Sequence, residues 1–300
     1  MDSNLIDAII REYVAKTTCE LGIYFKDLSS GTELTHGADM SYPSASVFKI
    51  YVLAELFRQI GEGRFTLADR YPLNDEDKSS GSGVMRLLDC GLNPTIKDYA
   101  TLMMIISDNT AADFLFKLTG KENIRNNVIN ALGLKNTKCD LTCSDLVNTC
   151  FQIKPGQSLA DRVRSKPNLR KTPAFTGGLE ENDETSPRDV GKMLELLYTG
   201  KWVNREADDQ ALSIMKLCQT NSRIPKFLPP GTSVAHKTGS IDRVANDAGI
   251  VYTANGDYIL ALFYNGNTAS EEEYLTNSNY LIGEELLASI SRDIYNAFVQ

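Results

Sequence analysis

The segment from Ser46 to Ile60 constrains the fold more than any other part of the chain. It is apolar on nearly every side of a helix. Its apolar residues are Val47, Phe48, Ile50, Tyr51, Val52, Leu53, Ala54, Leu56 and Phe57. A helix that is apolar all round belongs inside a domain and not on its surface. We therefore predict a buried helix here.

Strand patterns lie near the two ends of the chain. The first predicted elements are a helix at 4–16, a strand at 20–28, a turn at 29–32 and a second short strand. The last are strands at 233–240, 246–253 and 257–264 and a helix at about 274–299. The Asn255-Gly256 pair is a strong hairpin signal between the last two strands. The simplest assembly is one antiparallel sheet with the terminal helices on one face.

The middle of the chain is predicted to be mostly helical. Helical patterns cover 99–106, 111–118 and 186–197, whereas we interpret most of residues 140–184 as a long omega-like loop with short helical pieces. The fold class is therefore α/β, with an antiparallel sheet flanked by terminal helices and an all-helical lobe. We expect two domains: a discontinuous α/β sandwich from residues 1–45 and 205–300, and a helical domain from residues 46–204.

Composition excludes several classes of function. The 300 residues are 42% hydrophobic, which is enough for a large core, and the net charge of −8 offers no basic surface for nucleic acid. No apolar run approaches the ~20 residues of a membrane span. The six cysteines form no metal-binding pattern with histidine and are expected to be free thiols. We expect a monomer that acts on a small molecule without a metal or cofactor.

The N-terminus shows no signal-peptide pattern. Met1-Asp2-Ser3-Asn4 has neither a basic region nor an apolar region. The sequence leaves two locations open: the cytoplasm, or a secreted or periplasmic location if a signal peptide was removed.

The first chemical motif is Ser46-Val47-Phe48-Lys49 at the start of the buried helix. Positions i and i+3 share a helix face, so Lys49 can reach the Ser46 hydroxyl. A serine becomes a strong nucleophile when a neighbouring base takes its proton, and a partly desolvated lysine suits that task. The same spacing recurs at Ser213 and Lys216, but the first copy follows a Pro43-Ser44 turn and opens a buried helix.

The second motif is Ser107-Asp108-Asn109, at a break between two apolar helices. A polar tripeptide there can project Ser107 and Asn109 into a cleft. The alternative is plain helix capping, because Ser, Asp and Asn are good N-caps.

The third motif is Lys237-Thr238-Gly239-Ser240, on a predicted strand. A strand edge can offer a cation, a hydroxyl and a backbone N–H together, and Gly239 lets a ligand approach the backbone. The alternative is an ordinary hairpin edge. His236 is expected to point away from Lys237, and with His36 as the only other histidine a Ser-His-Asp triad is disfavoured.

Together the three motifs, spaced 61 and 130 residues apart, match the S-x-x-K, S-D-N and K-T-G set of penicillin-recognising serine enzymes. The chain resembles the class A β-lactamase family from about residue 20 to its end. The most similar stretches are 43–49, 81–84, 102–112, 185–187 and 234–252.

This resemblance implies a role for each motif residue. Ser46 would be the nucleophile, Lys49 its proton acceptor or a relay to one, and Ser107 the donor to the leaving nitrogen. Asn109 would bind the amide side chain of the substrate, while Lys237 and Thr238 would hold its carboxylate. The backbone N–H groups of Ser46 and Ser240 would form the oxyanion hole. Gly239 would lie between the carboxylate-binding residues and Ser240.

The chain departs from the family in the loop that supplies the base for deacylation. The family has a Glu there, followed by a Leu-Asn pair. Here Cys143 falls at the Glu position, Leu146 matches the Leu and Val147 replaces the Asn. The sequence contains no Glu between Glu122 and Glu180. The substitutes in or near this loop are Asp140, Asp145, Glu180 and Glu181, and the candidates for a carboxylate-binding arginine are Arg223 and Arg243.

The sequence therefore predicts a serine hydrolase that forms an acyl-enzyme at Ser46 with β-lactams or related amides. Without a positioned base for water, deacylation is expected to be slow. The alternatives are a D-alanyl peptidase, a small-molecule esterase or amidase on the same scaffold, and a covalent penicillin binder that does not turn over.

Overall fold

The computed structural model of the chain describes residues 2–151, 182–241, 243–266 and 279–300. Its helices are α1 Ser3–Lys16, α2 Lys49–Gly61, α3 Ile96–Ile105, α4 Asn109–Thr119, α5 Lys121–Asn123, α6 Cys143–Phe151, α7 Pro187–Thr199, α8 Arg205–Met215 and α9 Asn279–Val299. Its strands are β1 Glu20–Asp27, β2 Glu33–His36, β3 Tyr42–Pro43, β4 Glu184–Thr185, β5 Val234–Ile241, β6 Val244–Thr253 and β7 Gly256–Asn265. Shorter segments are 3₁₀ turns at Ala45–Phe48, Asp75–Asp77 and Met85–Leu87, and a π-helical stretch at Ile124–Asn130.

A five-stranded antiparallel sheet joins the two ends of the chain in the order β2-β1-β7-β6-β5. Leu21 of β1 lies opposite Tyr264 of β7, and Gly239 of β5 lies opposite Asn246 of β6. The predicted α/β fold with one antiparallel sheet is confirmed. Strand β5 is an outer strand of this sheet, so its second edge is available to the site described below.

The terminal helices cover one face of the sheet. Ile6 and Ile10 of α1 and Leu287 of α9 are buried in one core cluster with Ile23 and Phe25 of β1. Helix α1 begins cleanly because the Asp2 carboxylate accepts hydrogen bonds from the second and third N–H groups beyond it. The predicted start of the last helix, at residues 274–278, lies outside the described residues.

The other face of the sheet carries α7 and the helical core. A β-carbon at Gly191 of α7 would lie 2.4 Å from the ring of Tyr24 on β1, so only a glycine allows this close approach. Helix α7 begins at Pro187 after Ser186, whose side chain accepts from the Asp189 N–H. The proposed division into a sandwich and a helical domain stays a prediction.

The central helix is buried as predicted, but its first turn differs. Residues Ala45–Phe48 form a 3₁₀ turn, and the α-helix starts at Lys49. The turn is tight because Ala45 adopts a φ of +44° where the chain leaves β3. In a 3₁₀ turn residues i and i+3 eclipse each other, so Ser46 and Lys49 still share one side.

A two-stranded sheet of β3 and β4, which the sequence patterns did not predict, brings the end of the omega-like region beside Ser46. Tyr42 pairs with Thr185 and Pro43 with Glu184, and the Ser44 N–H donates to the Asp183 carbonyl at 2.8 Å. None of the helices in the described ranges combines the length and apolar character that crossing a bilayer requires. The side chains of Cys19, Cys90, Cys139, Cys143 and Cys218 are free thiols.

Candidate active site

The side chain of Lys49 is the point where two of the three motifs meet. It is fully buried, and its Nζ donates to the Ser107 carbonyl at 2.8 Å, to Ser107 Oγ at 3.0 Å and to Asn109 Oδ1 at 3.0 Å. These residues are more than fifty positions apart in the sequence, so the tertiary fold joins S-x-x-K to S-D-N as the motif set requires.

The tripeptide at 107–109 combines the two roles that the sequence left open. Ser107 has a φ of +57°, which ends α3 and turns its hydroxyl and carbonyl toward Lys49. Asp108 caps α4 by accepting from the Ala111 N–H and also accepts from the N–H groups of Val84 and Met85. The flanking residues thus serve the cleft, while the middle residue anchors the helix and a neighbouring loop.

The third motif reaches Ser46 through the backbone. A β-carbon at Gly239 would lie 2.7 Å from the Ser44 carbonyl oxygen and 3.1 Å from the Ser46 amide nitrogen. The second edge of β5 therefore lies directly against the turn that carries Ser46. Ser46 and the exposed Ser240 line the same pocket, so the two residues flank a single space.

Lys237 and Thr238 are buried on β5 behind this edge. Burial and the neighbouring charge of Lys49 together lower the pKa of Lys237 to about 7. The Lys237 ammonium donates to the Thr238 carbonyl at 2.7 Å. A buried cation with an easily lost proton suits the binding of a carboxylate, which would restore its full charge.

Of the two arginine candidates, Arg223 is the one brought to the site. Its guanidinium is fully buried and donates to the Gly239 carbonyl at 2.8 Å and to Ser240 Oγ at 2.5 Å. It also forms an ion pair with Glu284 at 3.3 Å. Arg243 lies in the turn between β5 and β6. Arg223 therefore holds Gly239 and Ser240 of β5 in place through hydrogen bonds.

Helix α6 forms the wall opposite β5, and Cys143 is its first residue. The buried Asp113 carboxylate accepts from the N–H groups of Cys143 at 2.6 Å and Ser144 at 3.0 Å and from Ser79 Oγ at 2.7 Å. Burial raises the pKa of the Cys143 thiol to about 12, although the charge of Lys49 opposes this rise. At neutral pH the group at the position of the family's Glu is therefore an uncharged thiol.

The pocket at Ser46 has a volume of about 260 Å³. Its polar contributors include Ser46, Ser82, Asn109 and Ser240, and its other side chains are mostly apolar. Among the described residues, no charged side chain lines it. A reacting carbonyl at Ser46 would thus be next to polar groups on one side and an apolar wall on the other.

The described carboxylates that could replace the missing Glu are engaged elsewhere. Asp140 pairs with Arg125 at 2.6 Å, and Asp145 accepts from the backbone N–H and hydroxyl of Thr142. Neither lines the pocket in the described part of the chain. Glu180 and Glu181 lie outside the described residues.

Asp183 is a further buried carboxyl at the neck of the omega-like region. It accepts from the Asp140 N–H at 2.8 Å and from the Leu141 N–H at 3.2 Å. Burial raises its pKa to about 7, although these hydrogen bonds oppose the rise. It ties the two ends of the region together without facing the pocket.

The second S-x-x-K copy is a surface feature. The Ser213 hydroxyl donates to the Asp209 carbonyl, and the Lys216 ammonium lies 3.8 Å from the ring centre of Tyr252. The histidines are also outside the site. His236 Nδ1 lies 2.8 Å from Asp247 Oδ1, and its Nε2 lies 3.2 Å from Asn221 Oδ1.

Two residues of this site were missed at the level of sequence patterns. Asp113 anchors α6, and Asn246 donates through its side chain to the Pro43 carbonyl at 2.8 Å and the Ser44 carbonyl at 3.3 Å. Both are polar residues within apolar stretches that become buried. The sequence signal that could have identified them is a polar residue at a position predicted to be buried. Such a residue requires a hydrogen-bond partner inside the fold.

Comparison with known proteins gives consistent similarities. A family model described as the β-lactamase enzyme family matches residues 5–298. A β-lactamase of Streptomyces cellulosae is 27% identical over 263 residues, which cover 84% of this chain and 73% of that protein. The solved β-lactamase of Sphaerobacter thermophilus is 25% identical with a TM-score of 0.78, covering 100% of this chain and 98% of its own. The structure of PBP-A is 27% identical with a TM-score of 0.78, and the match covers 99% of this chain and 97% of PBP-A.

Proposed function

The chain belongs to the β-lactamase enzyme family, and we propose that it is a serine hydrolase that β-lactams or related amides acylate at Ser46. The observation that carries this proposal is the hydrogen bonding of Lys49 to both Ser107 and Asn109 at one end of the Ser46 pocket. A buried lysine with these partners is a proton relay next to a serine at the start of a helix.

In the acylation step the Ser46 oxygen attacks the carbonyl carbon of the substrate. A C–O bond forms and the C–N bond of the amide breaks. The proton of the Ser46 hydroxyl passes through Lys49 and Ser107 to the leaving nitrogen. Atoms and charges balance without a cofactor, and the product of this step is an ester at Ser46.

The β5 edge stabilises the charge that develops in this step. The negative carbonyl oxygen would accept hydrogen bonds from the backbone N–H groups of Ser46 and Ser240. Gly239, the neighbour of Ser240 on β5, lies against the turn that carries Ser46. Lys237 and Thr238 would hold a substrate carboxylate, and Asn109 would bind an amide side chain. These roles rest on the motif resemblance together with the proximity of the residues.

We further propose that hydrolysis of the ester is slow. Its second step needs a base that takes a proton from water as the water adds to the ester carbon. The Cys143 thiol is uncharged at neutral pH and so cannot replace a carboxylate in this step. General base catalysis commonly contributes about 10²–10⁴-fold, so its loss leaves a long-lived acyl-enzyme.

A related protein supports the chemistry of the first step. A mutant of PBP-A was solved as an acyl-enzyme complex with penicillin G, and it is 27% identical to this chain with a TM-score of 0.78. A second candidate function, a peptidase or amidase on this scaffold, is favoured by the departure of the chain from the family's loop at Cys143 and Val147.

Intact-protein mass spectrometry after mixing with a penicillin tests the proposal. We expect a mass gain equal to the whole drug that persists for hours, and no gain in Ser46→Ala. Labelling of Ser46→Ala would refute the assignment of the nucleophile. Rapid loss of the adduct with drug consumption would refute slow hydrolysis. An unlabelled wild-type protein would direct the search to esters and D-amino-acid amides.

We also propose that the enzyme acts as a monomer, because the fold of a single chain is sufficient to bring Lys49, Ser107 and Asn109 together beside the Ser46 pocket. Light scattering coupled to size-exclusion chromatography measures its mass in solution. A stable dimer at assay concentration would overturn this point and leave the chemistry unaffected.

A further inference from the structure

Three titratable side chains form a hydrogen-bonded group beside strand β5, outside the acylation site. They are Cys218, which follows α8, His236 on β5 and Asp247 on β6. We propose that Cys218 is the nucleophile of a second reactive centre, and that hydrogen peroxide oxidises it to a sulfenic acid. This oxidation goes beyond the proposed function and does not depend on it.

The sheet register places the histidine and the carboxylate side by side. His236 lies opposite Gly249, two residues along β6 from Asp247, so the two side chains project from the same face of the sheet. His236 Nδ1 and Asp247 Oδ1 are 2.8 Å apart. A β-carbon at Gly249 would lie 2.4 Å from the β-carbon of His236, so a glycine is required opposite the imidazole.

The Asp247 carboxylate is held from two directions. Its Oδ1 contacts the imidazole, and its Oδ2 accepts from the Ile224 N–H at 3.0 Å. Burial alone would lower the pKa of His236, but the charge of Asp247 outweighs it and raises the pKa to about 10. The ring is therefore held in one orientation as a buried imidazolium.

The Cys218 thiol hydrogen-bonds to the same imidazole. Burial alone would raise the pKa of this thiol, but the hydrogen bond to His236 and the charges of His236 and Lys237 outweigh burial and lower it. The thiolate, not the thiol, is the nucleophile in the reactions of cysteine. The group thus contains a nucleophile, a partner that stabilises its charged form and a carboxylate that orients that partner.

Cys218 differs from the other buried cysteines in its charge state. Burial raises the pKa of Cys143 to about 12 and that of Cys139 well above its usual value. Cys218 is also buried, with 7% of its surface exposed, so burial does not distinguish the three thiols. The difference is the imidazolium of His236.

The surroundings of Cys218 favour a small oxidant. Its low exposure leaves no room for a bulky electrophile. Asn221 is exposed, and its Oδ1 lies 3.2 Å from His236 Nε2, so one side chain separates the imidazole from solvent. Hydrogen peroxide is close to water in size and polarity, and it oxidises cysteines that have thiolate character and some exposure.

In the oxidation step the Cys218 sulfur attacks one oxygen of the peroxide. An S–O bond forms while the O–O bond breaks. The leaving hydroxide takes the proton of the His236 imidazolium and becomes water. The sulfur loses two electrons and the peroxide gains them, so the products are a sulfenic acid and water.

The segment after Cys218 connects this group to the acylation site. Arg223 in this segment donates to the Gly239 carbonyl and to Ser240 Oγ on β5. Protein interiors are close-packed, so an added oxygen atom shifts the neighbouring groups. Oxidation of Cys218 should therefore slow acylation at Ser46, and this consequence alone rests on the proposed function.

Peptide mass spectrometry tests the oxidation. The folded protein is treated with hydrogen peroxide, catalase stops the reaction, and the protein is unfolded in dimedone, which traps sulfenic acids. The dimedone adduct and any sulfinic acid are measured at each cysteine. We expect Cys218 to react at least about tenfold faster than Cys139 and Cys143, because its larger thiolate fraction outweighs the lower intrinsic nucleophilicity of a low-pKa thiol. Equal rates at the three cysteines would overturn the proposal.

His236→Gln tests the role of the imidazolium. Oxidation of Cys218 should slow by at least about tenfold in this variant, because its thiolate loses the partner that stabilises it. Cys139 in the same sample is the control: a loosened fold would speed the oxidation of both cysteines. An unchanged rate at Cys218 in the folded variant would contradict the proposal. The comparison within the wild-type protein does not depend on the folding of this variant.

Acylation by a penicillin gives a second measurement. Peroxide should slow it in the wild-type protein and in Cys90→Ser, which removes an exposed thiol, but not in Cys218→Ser. Dithiothreitol should restore the rate, because a sulfenic acid is reversible. Equal slowing in Cys218→Ser would refute the link to the acylation site. If the untreated protein were not acylated, the proposed function would fail, and the peptide rates would still decide whether Cys218 is the reactive thiol.

Discussion

The Nζ atom of the fully buried Lys49 and the Oγ atom of the partly buried Ser107 lie 3.0 Å apart. The left-handed backbone of Ser107 makes this contact possible, because it interrupts α3 and turns the residue toward α2. A non-glycine residue with positive φ is strained, and such strain is found at functional sites where the surrounding structure enforces it. The pair links the start of α2 to the turn between α3 and α4.

The first prediction concerns this pair. Lys49→Met and Ser107→Ala should each slow acylation by about 10²–10⁴-fold, because each interrupts one proton relay. The double variant should be little slower than the slower single variant, since residues that act as a unit are not additive. Rates from intact-mass time courses test this. If the rate losses of the two single variants multiplied in the double variant, the two residues would act independently.

The second prediction concerns the first residue of α6. Cys143→Glu returns a carboxylate to the position where the family resemblance expects one, close to Lys49. Its acyl-enzyme should hydrolyse faster than the wild-type one, by up to about 10²–10⁴-fold. The measurement is the half-life of the adduct.

Cys143→Gln is the matched control, because it has the size of Glu without the charge. Its adduct should persist like that of the wild-type protein. Equal half-lives in the Glu and Gln variants would show that the missing carboxylate is not what limits hydrolysis.

The third prediction concerns the pH dependence of acylation. Burial and the charge of Lys49 lower the pKa of Lys237 to about 7, so Lys237 is increasingly neutral above that pH. A neutral Lys237 binds a substrate carboxylate weakly. The second-order rate of acylation should therefore fall as the pH rises through about 7, since this rate reports on the free enzyme.

Lys237→Arg provides the comparison, because a guanidinium keeps its charge throughout this range. Its rate profile should lack the decline near pH 7, whatever its absolute rate. The same decline in both proteins would assign it to another group.

The fourth prediction concerns the buried pair of His236 and Asp247. Burial alone lowers the pKa of His236, but the Asp247 carboxylate outweighs it and raises the pKa to about 10. The folded chain thus holds this proton more tightly than the unfolded chain does. The pair stabilises the fold fully below the ordinary pKa of about 6.5, and this contribution is lost as the pH rises through about 10.

His236→Gln should accordingly lower the free energy of unfolding by about 3 kcal/mol or more near pH 6, as expected for a broken buried pair. The difference from the wild-type protein should shrink near pH 10. Urea denaturation at both pH values measures it, with His36→Gln on the exposed strand β2 as the control. A difference that does not change with pH would contradict the raised pKa.

Several elements of the fold were predictable from local patterns. The apolar run after Ser46 indicated a buried helix because no face of it favours water. The Asn255-Gly256 pair indicated the β6–β7 hairpin, since it tolerates the positive φ that Gly256 adopts. The β3–β4 pair was not predictable, because two-residue strands have no periodicity and their partners are far apart in the sequence.

The same distinction holds within the site. The candidate residues Ser46, Lys49, Ser107 and Lys237 were predicted from three motifs read in order, because the proposed chemistry requires those side chains. The supporting roles of Asp113, Asn246 and Arg223 did not follow, since each acts on the backbone of a distant segment.

The sequence by itself determined the alternation of helices and strands, the candidate reactive side chains and the absence of the expected carboxylate at Cys143. These are properties of local hydrophobic pattern and of residue chemistry. Only the tertiary structure decided that Lys49 reaches Ser107 and that Gly239 lies against the turn at Ser46. It also decided that α6 presents a neutral thiol and apolar side chains to the pocket. Such contacts depend on the burial and packing of distant segments, which set both the distances and the pKa values.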